Sequence, residues 1–325
     1  MPTQVENGKA FEYSIAINYY NHLKEQGIDV ILIEDSPYRN AKRCFEKQSE
    51  SSKRAFNKAS RQSIETLLIL EPGLTAQKDS NDILKMHIAP DSDGEMGDVR
   101  DIVFNRDFIS PKWEVGFSAK NNHEAVKHSR LSMTIDFGEK WVGHPCSQQY
   151  FEEINPVFTM LGKLRSENSI CRWSILEDKD RDVYIPILKA FRKEMLKLAN
   201  YYEDVPRNLL SYLIGRYPFY KIIKDDHSNT VVVKAFNLEG QLNKAVNGEK
   251  PRAKAEHIKF PTRIIELDFV KGSSTTLMMV LDEGWQISFR IHNASSIVEP
   301  SLKFDIQLIG NPPILFTQHL FNLDD

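Results

Sequence analysis

Cysteine, long apolar runs and excess charge are all scarce in this chain of 325 residues. Its 3 cysteines, Cys44, Cys146 and Cys171, are too few and too widely spaced for a disulfide framework or a zinc site. We therefore expect buried or incidental thiols and a reducing, cytoplasmic location. No apolar run approaches the roughly 18 residues of a membrane span, and no charged start precedes an apolar segment as in a signal peptide. The formal net charge of −3 gives no global argument for nucleic-acid binding, but it leaves room for local basic patches.

Helix and strand signals together predict an α+β protein. Apolar spacing of three or four predicts helices over Gly8–Leu23, Gln149–Arg165 and Val183–Tyr202. A long, highly charged helix is expected over Asn40–Thr66, and Pro206 can open another helix through Ile214. Strand signals cover Ile83–Ala89, the hairpin of Tyr217–Ile223 with Thr230–Phe236, and the whole tail Ile258–Leu323. Ser132–Gln148 is predicted as a surface loop and the polar Asn237–Glu256 as an internal linker. The chain then divides into an N-terminal core (1–148), a helical region with a hairpin (149–237) and a β-rich C-terminal region (258–325).

The most informative stretch runs from Gly97 to Arg130. Two short apolar runs, Asp98–Phe104 and Trp113–Lys120, flank the turn signal Ser110-Pro111 and predict a pair of strands. Asn121 and Asn122 can cap a helix that begins near His123. An acid on one strand and a lysine on the next is the minimum for metal-dependent phosphodiester cleavage, in which a carboxylate holds the cation and the lysine orients the nucleophile or neutralises charge. Oxygen ligands suit Mg²⁺.

Spacing along the strands limits which residues can share that site. Asp98 and Asp101 face opposite ways, and Asp101 is favoured because it leads directly into an apolar strand, whereas Asp98 after a glycine is typical of a turn. Glu114 lies about 20 Å from Lys120 along an extended strand, too far to serve the same metal. Ser118 occupies the position two before the lysine, where an acid would be best placed.

The second carboxylate must therefore come from another element. Glu12 is the leading candidate, because it adjoins the apolar stripe of the first helix and can point inward. A glutamate there is equally explained by the favourable helix dipole. Glu124, at the start of the helix expected after the second strand, is the other candidate. Asp101 and Glu12 are thus the predicted metal ligands, and Lys120, Ser118 and Asp98 complete the predicted catalytic set.

Two groups of polar side chains are candidates for DNA contact. One follows the lysine and comprises Asn121, Asn122, His123, Lys127, His128 and Arg130. The other lies in the C-terminal region, where strand alternation puts Gln286, Ser288, Arg290 and His292 on one face, followed by Asn293. A half-solvated sheet is the usual explanation of such a face, but these side chains can also hydrogen-bond base edges and phosphates. The basic residues of Asn40–Thr66 favour a solvated helix face, with phosphate contact as the alternative.

Four segments carry a resemblance to a known family. They are Gly97-Asp-Val-Arg-Asp101, the long run Ser118–Leu131, Gly8-Lys-Ala-Phe-Glu-Tyr13 and Phe289–Ser296. The chain resembles the HaeIII-type restriction endonucleases, a variant of the PD-(D/E)XK nucleases. The resemblance implies a mixed sheet flanked by helices and a bacterial Type II enzyme that cuts duplex DNA within GGCC using Mg²⁺. It also implies a partner methyltransferase that protects host DNA.

The chain departs from the general nuclease pattern at two places. Ser118 replaces the usual acid, and no proline precedes the motif aspartate. Two rival interpretations remain: a repair or structure-selective nuclease on the same core, and a non-catalytic DNA-binding protein in which Asp101 and Lys120 form an ordinary ion pair. An HNH nuclease is disfavoured, because His292-Asn293 lacks the rest of that motif. The sequence leaves the choice between monomer and dimer open.

Overall fold

The structure is a computed structural model that describes residues 2–79, 81–92, 97–107, 112–122 and 125–321, with the backbone alone for 125–128. Its α-helices are α1 (Gln4–Glu25), α2 (Ser36–Glu46), α3 (Glu50–Leu70), α4 (Gln148–Glu167), α5 (Ile185–Tyr201) and α6 (Val205–Ile214). The first strands are β1 (Val30–Leu32), β2 (Leu84–Ile88), β3 (Ile102–Arg106), β4 (Trp113–Asn121), β5 (Ala125–Leu131), β6 (Phe219–Asp225) and β7 (Thr230–Phe236). The C-terminal strands are β8 (Ile264–Phe269), β9 (Thr276–Leu281), β10 (Gln286–Asn293), β11 (Leu302–Gly310) and β12 (Thr317–Phe321).

Unit 1 comprises residues 1–124, 215–259 and 314–325. It is built on a seven-stranded mixed sheet with the order β1-β2-β3-β4-β6-β7-β12. Strands β4 and β6 run parallel, whereas β3 and β4 form an antiparallel hairpin. Helix α1 contacts β4 and begins with a capping box in which Thr3 and Glu6 satisfy each other's backbone N–H groups. Its apolar stripe is fully buried, as the spacing of four along the helix predicts.

Strand β4 lies at the centre of this sheet, with apolar side chains on one face and the small residues Gly116 and Ser118 on the other. Val115 and Phe117 are buried, and the Phe117 ring lies 4.8 Å from that of Phe104 on β3. On the other face, Gly116 is required, because a Cβ there would come within 2.1 Å of the Arg100 side chain. The strand ends at its polar residues, Lys120 and Asn121, so these project from the end of a well-packed element.

Unit 2 comprises residues 125–214 and 260–313. Its five-stranded sheet is antiparallel throughout, with the order β5-β11-β10-β9-β8. The buried side chains of β10 and β11 pack against α5, where Phe191 lies 5.1 Å from Phe304 and 5.5 Å from Phe289 between ring centroids. One face of this sheet is therefore committed to the core, as the alternation in β10 predicted.

The structure confirms the α+β class and corrects four local predictions. The helix expected from near His123 is wrong, because β5 occupies this region and pairs with β11. The helix expected over Asn40–Thr66 is two helices, since Ser49 caps a new one. Ser132–Gln148 is more than a loop, because a helical turn at Gly138–Val142 buries Trp141. The expected linker belongs to unit 1, where Leu238, Leu242, Val246 and Ala255 are buried. Among the described residues, no helix is both long and apolar enough to cross a membrane.

Candidate active site

Asp101 is the focus of the candidate active site at the end of β4. Its Oδ2 accepts hydrogen bonds from the backbone N–H of Ala119 at 2.7 Å and from Ser118 Oγ at 3.1 Å. The Nζ of Lys120 lies 3.4 Å from the same oxygen. The hairpin register produces this convergence, because Ile102 pairs with Phe117 and so sets Asp101 beside the next residues of β4. Three consecutive residues of one strand therefore hold a single carboxylate.

Glu12 of α1 supplies a second carboxylate to the same region. It is 6% exposed, so it points inward as the sequence suggested. Its pKa is raised to about 8, first by burial and then by the negative charge of Asp101, while Lys9 and Lys120 oppose the rise. Lys9 Nζ lies 2.9 Å from Glu12 Oε2 and 2.6 Å from Asp91 Oδ1. Lys9 was missed from the sequence, although its position three residues before Glu12 on a helix is a local signal for such a pair.

Asp98 and Glu114 belong to a different cluster. Asp98 binds the Arg100 guanidinium through both oxygens, at 2.8 and 2.7 Å. Arg100 also donates to Glu114 at 2.7 Å, and its guanidinium lies 4.5 Å from the centre of the Tyr217 ring. Both carboxylate oxygens of Asp98 are thus bound by Arg100, which agrees with the structural role in a turn that was considered for it. Glu114 is likewise held by Arg100, which agrees with its expected separation from Lys120.

Residues after Lys120 have mixed outcomes. Both polar groups of Asn122 are engaged by Asp226, at 2.6 and 2.7 Å. Asn121 lines a polar cleft of about 350 Å³, and its buried Oδ1 has no hydrogen-bond partner within the described part of the chain. His123 and Glu124 lie outside the described residues, as do the side chains of Lys127 and His128. Arg130 on β5 donates to Ser301 at 3.0 Å and lies 3.4 Å from Glu299.

The predicted DNA-contact residues of β10 lie in unit 2. Arg290 is 60% exposed, and its Nη2 lies 2.9 Å from the largely buried carboxylate of Asp305 on β11. His292 Nδ1 donates to the carbonyl of Asn293 at 2.9 Å, which leaves Nε2 as the acceptor nitrogen of the neutral ring. Asn293 uses its side chain within the fold, accepting from Tyr184 at 3.2 Å and donating to the carbonyl of Ser295 at 2.5 Å. Gln286 is exposed.

Comparison with known proteins shows which family the chain belongs to. A family model described as HaeIII restriction endonuclease matches residues 8–312 of the chain. The chain belongs to this family. The Type II restriction enzyme HaeIII of Haemophilus aegyptius is 41% identical over 308 residues, which is 94% of this chain and 94% of that enzyme. No solved structure matches the chain.

Membership of the HaeIII restriction endonuclease family raises the question of whether the side chains of this site can bind a metal ion. Among the described residues, no group of three or more His, Cys, Asp and Glu side chains is arranged to hold a metal ion. Mg²⁺, however, commonly uses only one or two carboxylates and keeps several waters. Glu12 and Asp101 repel each other in a region where Glu12 is desolvated, so added positive charge would stabilise both. The residues present therefore fit an oxygen-preferring divalent cation.

Proposed function

We propose that the protein is a Type II restriction endonuclease that hydrolyses double-stranded DNA within GGCC and depends on Mg²⁺. The observation that carries this proposal is the convergence of Ser118, Ala119 and Lys120 on Asp101, with Glu12 buried in the same electrostatic cluster. Family membership supports the activity, and the name of the relative supports the GGCC site. The enzyme would act in the bacterial cytoplasm beside a cognate DNA methyltransferase.

Each residue of the site has a distinct task in this mechanism. Asp101 and Glu12 would hold the cation, which supplies a more acidic bound water and neutralises charge on the scissile phosphate. Ser118 and the Ala119 N–H fix the orientation of the Asp101 carboxylate. Lys120 stands where its ammonium can orient the attacking water or stabilise the negative charge that builds on phosphorus. Asp98 stays bound to Arg100 and supports the turn that leads into β3.

Recognition is assigned to the polar face of the unit 2 sheet. Arg290 would donate to guanine O6 and N7, the commonest specific contact in the major groove. His292 Nε2 would accept from the amino group of cytosine, and Gln286 can do either. Arg130, Lys127 and His128 on β5 would add positive or hydrogen-bonding groups, and Asn121 and His123 are further candidates for DNA contact. Asn293 would help by holding this end of β10 rather than by reading bases.

Cleavage of plasmid and defined duplex DNA tests the proposal. Wild-type protein with Mg²⁺ should give a fixed ladder that is absent when GGCC is altered or methylated. Lys120→Ala should lower the single-turnover rate on the order of 10²- to 10³-fold while DNA binding measured with Ca²⁺ persists. Lys112→Ala, an exposed lysine just before the same strand, is the matched control and should cleave like wild type.

The alternatives give different results in the same assay. Cleavage without a fixed ladder would favour a repair or structure-selective nuclease. Binding without cleavage in Mg²⁺ or Mn²⁺ would favour a DNA-binding protein that uses the hairpin without chemistry. Full activity of Lys120→Ala would contradict the role assigned to the lysine.

A further inference from the structure

Three residues tie the end of β4 to β6, and we call them the β4–β6 clamp: Asn122, Lys224 and Asp226. Asn122 Nδ2 donates to Asp226 Oδ2 at 2.6 Å, and the Asp226 backbone N–H donates to Asn122 Oδ1 at 2.7 Å. The backbone N–H of Asn122 donates to the Lys224 carbonyl at 2.7 Å. Asn122 therefore uses its backbone donor and both side-chain groups to bind one segment that lies about a hundred residues later in the chain.

The clamp is anchored in the core of unit 1. The Lys224 side chain is 8% exposed, forms an ion pair with Asp226 and places its Nζ 5.5 Å from the centre of the Phe56 ring. Phe56 is itself buried. A buried lysine needs its counter-charge, so Lys224 fixes Asp226, and Asp226 in turn fixes Asn122.

The backbone conformation of Asn122 indicates that its surroundings hold it in place. Its φ of 62° lies in the left-handed region, which residues other than glycine rarely adopt unless the surroundings hold them there. Asparagine tolerates this conformation better than most residues, and its side chain supplies the bonds that maintain it. This residue lies two positions after Lys120.

We propose that Asn122 and Asp226 are positioning residues of the nuclease, which hold the end of β4 so that the Lys120 ammonium stays against Asp101. In the parallel ladder Lys120 pairs with Ile223 and Asn121 with Lys224, so the clamp closes the last step of the pairing that carries the lysine. A lysine on a flexible four-carbon stem depends on a fixed Cα for its reach. The inference rests on the proposed function and assigns Asn122 to positioning, where the sequence suggested direct DNA contact.

The test compares Asn122→Gly with Asn229→Gly. Glycine keeps the left-handed backbone and removes the side-chain bonds of Asn122, and Asn229, in the β6–β7 turn, is a left-handed asparagine outside the site. Asn122→Gly should lower the single-turnover cleavage rate about 10- to 100-fold at saturating enzyme, while the DNA Kd measured with Ca²⁺ stays at the wild-type value. Asn229→Gly should match wild type in both measurements.

A double-mutant comparison separates positioning from general destabilisation. If Asn122 acts through the lysine, adding Asn122→Gly to Lys120→Ala should cause no further loss of cleavage. Asp226→Asn keeps an acceptor for Asn122 and should lose less activity than Asp226→Ala, and this pair stands in if Asn122→Gly fails to fold.

Four results would overturn the inference. These are a weakened Kd with normal cleavage at saturation, wild-type behaviour of Asn122→Gly, additive losses with Lys120→Ala, and Asp226→Asn losing as much activity as Asp226→Ala. Absence of GGCC-specific cleavage by the wild-type protein would instead refute the proposed function.

Discussion

Unit 1 gathers buried and partly buried charged groups at the end of β4, whereas unit 2 keeps its key arginine in solvent beside a buried partner. In unit 1, Glu12 is buried and bound by Lys9, and Asp101 is bound by three consecutive residues of one strand. In unit 2, Arg290 is 60% exposed and touches Asp305 through one nitrogen. The first arrangement has its charges fixed before substrate binds, which suits chemistry; the second leaves donors for a ligand, which suits recognition. Changes in unit 1 should therefore alter stability and rate, and changes in unit 2 selectivity.

The largest contrast should come from removing one arginine in each unit. Arg106 of β3 is 0% exposed, lies 3.1 Å from Asp82 and donates to the carbonyl of Gly73 at 2.7 Å. Arg106→Ala leaves the buried Asp82 carboxylate without its counter-charge and the buried Gly73 carbonyl without this donor, so it should lower the free energy of unfolding by about 3–5 kcal/mol. Arg290→Ala removes a pair whose arginine is exposed and leaves Asp305 with its hydrogen bond from Gln307 Nε2, so it should lower the free energy of unfolding by only about 1–2 kcal/mol. Urea unfolding of both variants measures the difference, and equal losses would break the comparison.

Much of this contrast could be predicted from local sequence. The alternation in Gln286–Asn293 identified β10 and its polar face, and the apolar density of Trp113–Lys120 identified β4. The inward position of Glu12 followed from the apolar stripe of the first helix. These features depend on periodicity within a single element, which is why they can be predicted without knowing the fold.

Pairings between distant segments could not be predicted in this way. The residues Asn122 and Asp226 are 104 positions apart, and no local pattern links them. The same cause explains the wrong helix near His123, since pairing of β5 with β11 overrides the local preference of a polar, basic segment. Asp98 is bound by Arg100 and not by the residues around Asp101, and the turn predicted at Asp98 gave no indication of this ion pair.

Unit 1 also buries a carboxylate outside the site, and this group should make the stability of the protein depend on pH. Glu71 is 1% exposed and accepts from Tyr220 Oη at 2.7 Å and from the Asn243 backbone N–H at 2.6 Å. Burial raises its pKa from 4.5 to about 7, so the folded state binds this proton more tightly than the unfolded state. Its stabilising effect is full below pH 4.5 and is lost as the pH rises through about 7.

Glu71→Gln should remove this component of the pH dependence. Between pH 5 and pH 8, wild type should lose roughly 2 kcal/mol more of its free energy of unfolding than the variant does. Chemical denaturation at a series of pH values measures the two slopes. Glu65→Gln, an exposed glutamate on α3, is the matched control and should follow wild type. Parallel slopes for Glu71→Gln and wild type would show that Glu71 contributes nothing to the pH dependence.

The smallest expected effect tests whether unit 2 uses a fixed arginine for recognition. Asp305→Asn keeps an oxygen near Arg290 but removes the negative charge. The guanidinium should therefore still be available to DNA but be held less firmly in one orientation. We expect the preference for GGCC over a duplex with one altered G·C pair to fall by about 1 kcal/mol, roughly fivefold, with cleavage at saturation unchanged. Arg290→Ala sets the upper limit, and Arg192→Ala, which removes another arginine–aspartate pair of unit 2, is the control. If Asp305→Asn lowered the cleavage rate and left the preference for GGCC unchanged, Asp305 would affect catalysis as the charged residues of unit 1 do. The functional division between the two units would then be wrong.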